Sequence, residues 1–377
     1  MLTEFDKPLI TASYFGFTPI AAPKETPQDF EAAAHCERIP RFDAVEKAAL
    51  VRTYIEQDFA SLPHPLALIY KKRGKPVAYA LHYIGAASAL AEAALIRASL
   101  SILSELGSKN LRVDLNCIGD KESIVTYERE LINYVKKFGG NISSGFREIL
   151  KADVFNLFRS EEEEAIQFRS GAPSSLSFLS VQTRNHFKEV LEFIDGLGIE
   201  FGIAPELVGE KNHSSHTVFG IRATGLEGEL SGGGYLALGY RYSRLGRRVG
   251  LKKEIPMAGI TIHPFFKNTK NEKVLKIYKE LPKPKFYLVQ LGHAAKIKTL
   301  CLLELLRIQR IPVRHFLGKD KLEPQLGDLD TLGASHLLII GHKEALDGTV
   351  TVRNISSRAQ DTLPMNLLPQ YLKTLKL

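Results

Sequence analysis

The sequence is poor in sulfur and lacks tryptophan: it has three cysteines, three methionines and no tryptophan in 377 residues. Cys36, Cys117 and Cys301 lie far apart, with no CxxC and no metal-ligand spacing. That excludes a disulfide framework and a cysteine-based metal site. The expectation is buried thiols in a reducing, cytoplasmic compartment and no bound metal. No apolar run reaches the ~18 residues that cross a bilayer. Leu302-Leu303 and Leu337–Ile340 are far too short, so no membrane association is expected. Acid precedes any apolar stretch in Met1-Leu2-Thr3-Glu4-Phe5-Asp6, which argues against a secretory signal. A dinucleotide fingerprint is missing as well. Ser231-Gly232-Gly233-Gly234 is not followed by a helix with GxGxxG spacing.

What is present is enough apolar residue, 44%, for a large core divided over two or three domains. The net charge of +8 is unevenly placed. Residues 267–377 hold 19 Lys+Arg against 10 Asp+Glu, so the rest of the chain is close to neutral. A basic C-terminal third points to a polyanion as partner, although Lys-rich residues 267–283 would also serve as a solubilising connection.

The chain reads as three parts. In residues 1–266, a helix at 8–20 runs into an extended segment, and Pro19, Pro23 and Pro27 hold a loop. An amphipathic helix covers 44–60. Pro65–Tyr70 and Val77–Tyr83 read as a hairpin, 87–106 as an Ala/Leu helix, and Leu111–Asn116 as a strand. Residues 121–198 show helical periodicity only and read as a helical insertion; the acidic run Glu161–Glu164 is a solvated face. Strands resume at Ile199–Ile203, Val218–Ala223 and Gly234–Tyr240. Residues 267–285, with Pro282 and Pro284, read as a linker. Residues 286–377 alternate strands and helices, which predicts a compact α/β module with a mostly parallel sheet.

Within this frame, Glu206-Leu207-Val208-Gly209-Glu210-Lys211-Asn212-His213-Ser214-Ser215-His216-Thr217-Val218-Phe219 resembles a signature of histidyl-tRNA synthetases, Leu-Val-Arg-Gly-Leu-Asp-Tyr-Tyr-x-Gly-Thr-Val-Phe. Tyr14-Phe15-Gly16-Phe17 with Ile20 and Pro23 is similar to motif 1 of class II synthetases. Val51-Arg52-Thr53-Tyr54 with Leu62-Pro63 is similar to the approach to motif 2, Leu90-Ala91-Glu92 to Asp-Ala-Glu, and Asn116 with Gly119-Asp120 to the bacterial members. In the last module, Leu306-Arg307, Gln325-Leu326, Ile340-Gly341-His342-Lys343-Glu344 and Gly348–Asn354 resemble the histidyl anticodon-binding domain.

The resemblance implies an α+β fold: a class II synthetase-like antiparallel sheet core of about six strands with its helical insertion, plus a C-terminal α/β anticodon-binding-like domain. It also sets out what the chemistry requires. The arginine after Leu-Val stabilises charge on the α-phosphate and carboxylate, and Gly209 offers no donors there. Motif 2 is reduced to the hairpin Tyr70–Val77, with Arg73 at its tip. The family's amino-acid-binding Gln and Glu fall at Tyr79 and Tyr83. Gly232, Gly233, Gly234 and Leu236 stand for Gly-Gly-Arg-Tyr-Asp. Phe266 stands for the motif 3 arginine. Arg52, Tyr79, Tyr83, Glu92, Gly209, His213, His216, Gly232, Gly233 and Phe266 thus outline a degenerate pocket with no catalytic residue. His213 and His216 make poor metal geometry, without a third ligand, and read as polar fillers.

The expected function is a histidyl-tRNA synthetase-like protein with impaired catalysis, binding tRNA or another structured RNA or acting as a regulatory subunit. RNA contact is expected from Lys296, Lys298, Arg310, Arg314, Lys319 and Lys321. Homodimerisation through motif 1 and a protein partner are further expectations. Two alternatives remain. A divergent active histidine–tRNA ligase would need ATP and Mg; otherwise no cofactor is expected. A regulatory subunit of ATP phosphoribosyltransferase would lack the C-terminal module that this chain has.

Overall fold

The hydrophobic runs at 66–71 and 79–84 fold back on each other and seed the largest sheet. The computed structural model describes residues 4–33, 43–137, 142–160, 162–209, 212–224, 234–264, 276–319, 321–327 and 333–375. Its strands in chain order are Phe5–Asp6 (β1), Thr18–Pro19 (β2), Leu66–Lys71 (β3), Tyr79–Ile84 (β4), Leu111–Gly119 (β5), Phe201–Ile203 (β6), Ser215–Ala223 (β7), Tyr235–Arg241 (β8), Met257–Ile262 (β9), Ile277–Tyr278 (β10), Phe286–Gln290 (β11), Val313–His315 (β12), His336–Ile340 (β13), Thr349–Asn354 (β14) and Gln360–Pro364 (β15).

Eight of these form one sheet in the order β2-β3-β4-β9-β8-β7-β5-β6. Within the run of six from β3 to β5, each strand is antiparallel to the next, as expected for a class II core. Two short edge strands, β2 and β6, run parallel to β3 and β5. Parallel neighbours need a crossover. Helices Pro27–Ala32 and Ala44–Glu56 supply the first, and the helical stretch after β5 supplies the second. Pro27 does not extend a loop; it opens a helix, with Thr26 and Asp29 forming a capping box. Between β5 and β6 there is no strand among the described residues.

Each sheet face carries its own core. The Ala/Leu helix Leu90–Glu105 packs on one face with Lys7–Ser13 and Val181–Gly196. Helices Ala44–Glu56, Lys121–Lys136 and Ser144–Ala152 cover the other. Asp120 ties the two layers together. Its carboxylate caps Lys121–Lys136 by accepting from Ser123 N at 2.9 Å, and it accepts from Ser180 Oγ at 2.6 Å where Val181–Gly196 begins. Burial opposes the Asp120 charge, but these donors hold its pKa down at about 2.

The C-terminal sheet runs β12-β11-β13-β14-β15. β12, β11 and β13 are parallel, whereas β14 and β15 are antiparallel, so the sheet is mixed where a mostly parallel one was expected. The sequence does not announce β15. It is an edge strand with little buried apolar residue, so it carries no alternation to detect. Of the helix expected at 320–333, the described part is Leu322–Leu326. The expected linker is also partly structured: Ile277–Tyr278 pairs with Phe5–Asp6, and 267–275 lie outside the described residues.

Ion pairs join the module to the core. Arg307, on helix His293–Ile308, reaches Glu105 at 2.5 Å and Glu304 at 2.7 Å. Arg97 reaches Glu304 at 3.0 Å, Ser101 donates to Glu304 at 2.9 Å, and Lys7 lies 2.5 Å from Glu105. His315 packs against Gly16, leaving no room for a Cβ there.

Candidate active-site face and nucleic-acid interface

The residues matching motif 2 and motif 3 meet where β3, β4 and β9 lie side by side under helix Ala44–Glu56. On this face, among the described residues, buried polar side chains pack against one another. Lys47 is fully buried, with Nζ 3.8 Å from Glu46, 3.5 Å from Thr261 Oγ1 and 4.9 Å from the centre of the Tyr240 ring. His82, also fully buried, sits 3.4 Å from Glu46, with Tyr70 OH 3.1 Å from Nε2 and Tyr242 OH 2.9 Å from Nδ1. Burial pushes the His82 pKa down, outweighing the Glu46 charge. Toward the hairpin, Asp43 is held by Lys72 at 2.8 Å and His263 at 3.4 Å. Burial works against the Asp43 charge, yet His263, Lys72 and Lys47 keep its pKa well below the usual range. A buried ammonium is tolerated only when it is paired, and this one has carboxylate, hydroxyl and aromatic partners.

The positions singled out from sequence scatter around this face. Tyr79 and Tyr83 point through the sheet to the opposite core: Tyr79 OH donates to Asp6 at 2.7 Å, and Tyr83 packs edge-on to Phe17. His82 and Ala80 carry the other face. Strand period 2 means that a one-residue slip exchanges the faces. Arg52 points away from the sheet, toward Asp29 at 3.1 Å and Glu56 at 2.8 Å, and it fastens helix Ala44–Glu56 to Pro27–Ala32. Arg73 donates to Ala22 O at 3.3 Å, exposed to water. Gly209 faces Ser214, and a Cβ added there would come within 2.6 Å of the Ser214 Cβ. An arginine does reach Gly209 from the insertion: Arg159 donates to its carbonyl at 2.6 Å. Its charge is already engaged by Asp153 at 3.0 Å. His213 is buried and His216 half-buried. Gly232, Gly233 and Phe266 lie outside the described residues.

Arg241 does not stand out in the sequence, yet it anchors the site. Gly239-Tyr240-Arg241-Tyr242-Ser243 carries the Gly and the Arg-Tyr pair of the family string that the resemblance places at 232–236. It ends β8, directly before helix Ser243–Val249. Arg241 forks onto the fully buried Glu92 at 2.6 and 2.7 Å and donates to Ala86 O and Ser88 O at 2.8 Å each. His186 lies 2.8 Å from the same carboxylate. Burial raises the Glu92 pKa, but Arg241 and His186 bring it down to about 2.

The expected RNA-contacting residues divide. Arg314 and Lys319 flank the Phe316 ring at 5.1 and 4.3 Å, with exposed Lys321 next along the chain. Arg310 leans to Glu105 at 3.5 Å. Lys296 and Lys298 lie in the N-terminal half of helix His293–Ile308. No group of His, Cys, Asp and Glu able to hold a metal occurs among the described residues, and no helix among them is long and apolar enough to cross a membrane.

A match to the anticodon-binding domain family covers residues 261–375. The chain is 30% identical over 292 residues to the histidine–tRNA ligase of Thermosynechococcus vestitus, covering 76% of this chain and 65% of that one. It is 29% identical over 341 residues to the Synechococcus elongatus ligase, covering 86% and 75%. The apo histidyl-tRNA synthetase structure from S. aureus superposes with a TM-score of 0.51 at 21% identity, covering 97% of this chain and 93% of that one. Sheet order and superposition thus define a class II synthetase fold with an anticodon-binding domain. Within that class, the chain is a histidyl-tRNA synthetase-like protein, matched over somewhat less than two thirds of the T. vestitus ligase.

Proposed function

We propose that the protein binds tRNA or a similarly structured RNA through its C-terminal module and no longer activates an amino acid. The observation that carries this reading is the buried Lys47 ammonium beneath helix Ala44–Glu56, with Glu46, Thr261 and Tyr240 around it. Adenylate formation needs guanidinium groups free to grip phosphates. Gly209 supplies none, and Arg159, which reaches it, is neutralised by Asp153. The divergent-ligase reading would need such a free guanidinium.

RNA binding is supported by the anticodon-domain match and by the cations Arg314 and Lys319 gathered on the Phe316 ring, which offer phosphate contacts. Because the module is ion-paired to the core, the full chain is the proper test object. Replacing Arg314, Lys319 and Lys321 together by alanine should weaken tRNA binding. It should also flatten the slope of log affinity against log salt by about 0.7–0.9 for each phosphate no longer neutralised. An unchanged slope would assign those cations to solvated surface.

A homodimer belongs to the same reading, through the motif 1-like segment. Leu9, Ile10, Phe15 and Phe17 are already buried within the chain, so a mate would meet the edge strand β2 and its surroundings. Sedimentation at micromolar concentration should give a dimer, and a monomer would remove this part of the proposal.

A further inference from the structure

A cavity of about 580 Å³ opens at the end of the large sheet opposite the β3–β4 hairpin, where β4 and β8 end and β7 and β9 begin. Ser88, Asn185, Glu189, His216, Arg241 and Glu254 are among its lining residues, and His186 joins them. The volume is in the range of small-molecule sites. Neither the hairpin nor the Lys47 network reaches it.

His216 is its unusual member. The signature it belongs to has glycine at this position, and the backbone keeps the glycine-like conformation, with φ at +53°. A left-handed conformation costs a side-chain-bearing residue of this kind free energy that glycine avoids. The ring lies 5.5 Å from that of His186, and its Nδ1 is buried with no hydrogen-bond partner among the described residues. Burial, with the nearby His186 and Arg241, holds its pKa at about 4, so at neutral pH the imidazole is uncharged.

The remaining polar groups favour one charge sign. Arg241 spends its donors on Glu92 and on two carbonyls, and His186 is turned to Glu92, which leaves little for an anion. Glu254 stands exposed at the rim, and Glu189 is half-buried. Glu189 has only a loose contact, 3.7 Å from His293. Ser88 and Asn185 can accept as well as donate, and neutral His216 has one acceptor nitrogen. Free charge in the lining is therefore carried by Glu189 and Glu254, neither in a close ion pair among the described residues, although the Arg244 charge also acts on Glu254.

We propose that this cavity binds a small organic cation bearing primary ammonium groups, with Glu189 and Glu254 meeting its charge and His216 accepting one of its hydrogens. Strain at His216 is then retained for the imidazole. A structural filler would gain by reverting to glycine.

Calorimetry on the full chain, at low salt and pH 7, would use 1,4-diaminobutane as probe and uncharged 1,4-butanediol as control. The diamine should bind saturably and the diol should not. The Glu189→Gln/Glu254→Gln double variant should weaken diamine binding at least tenfold with little change in melting temperature. His216→Gly should weaken binding while raising the melting temperature, an opposed pair of effects that a packing role would not give. Absent binding, equal binding of the diol, or affinity unchanged in either variant overturns the proposal. So does a His216→Gly protein that loses binding and also melts lower.

Discussion

ATP–pyrophosphate exchange with histidine should stay at the protein-free background. Removing one donor to a developing charge costs about 10²–10³ in rate, and here the guanidinium after Leu207-Val208 is replaced by Gly209 while Lys47 fills the neighbouring face. Putting the arginine back should not help. A side chain at Gly209 must displace Ser214, whose Cβ would lie 2.6 Å from the new Cβ. Overpacking of that kind costs about 1–3 kcal/mol. Gly209→Arg should therefore lower the urea midpoint and leave exchange at background. Exchange above background in the parent protein would overturn the proposed loss of activation; recovery in the variant would show that Gly209 alone blocks it.

Glu92→Gln should be among the most damaging single substitutions in the core. Glu92 is fully buried and Arg241 is 3% exposed, so neutralising the carboxylate strands a guanidinium away from water. Breaking a buried pair from one side costs about 3–5 kcal/mol. The pair also sets part of the acid dependence. The folded-state pKa is lowered from 4.5 to about 2, so the stabilisation is complete above pH 4.5 and is lost as pH falls through about 2. Urea unfolding between pH 5 and 2.5 should show a falling stability whose slope is shallower in Glu92→Gln. Equal slopes would mean that other carboxylates govern the acid limb.

How far the sequence can be read depends on the kind of signal. The antiparallel core is legible because β3, β4, β5 and β7 are long and bounded by turns, and Asp120 before the apolar period marks a helix start. β4 shows the limit. All its residues are buried, so alternation cannot say which face is which. The resemblance puts Tyr79 and Tyr83 in the pocket, whereas they face the opposite core and His82 takes the pocket side. β9 escapes because His263-Pro264 draws attention to a lost helix and away from the six buried residues before it. Arg241 escapes because the glycines at 232–234 match the family string more visibly than Gly239 does. The Lys47 network cannot be read at all: Lys47 and Thr261 are far apart in sequence, and a lone lysine near a helix start ordinarily faces water.

The ion pairs between helices Leu90–Glu105 and His293–Ile308 have a mechanical meaning. Arg307 of the module grips Glu105 on the core helix, and Arg97 on the core helix grips Glu304 of the module, so the module is braced against swivelling. A long ligand seized near Phe316 would then have its bearing fixed relative to the large sheet, as a mast is fixed by its stays. Loosening those stays would let it yaw while leaving the grip itself intact.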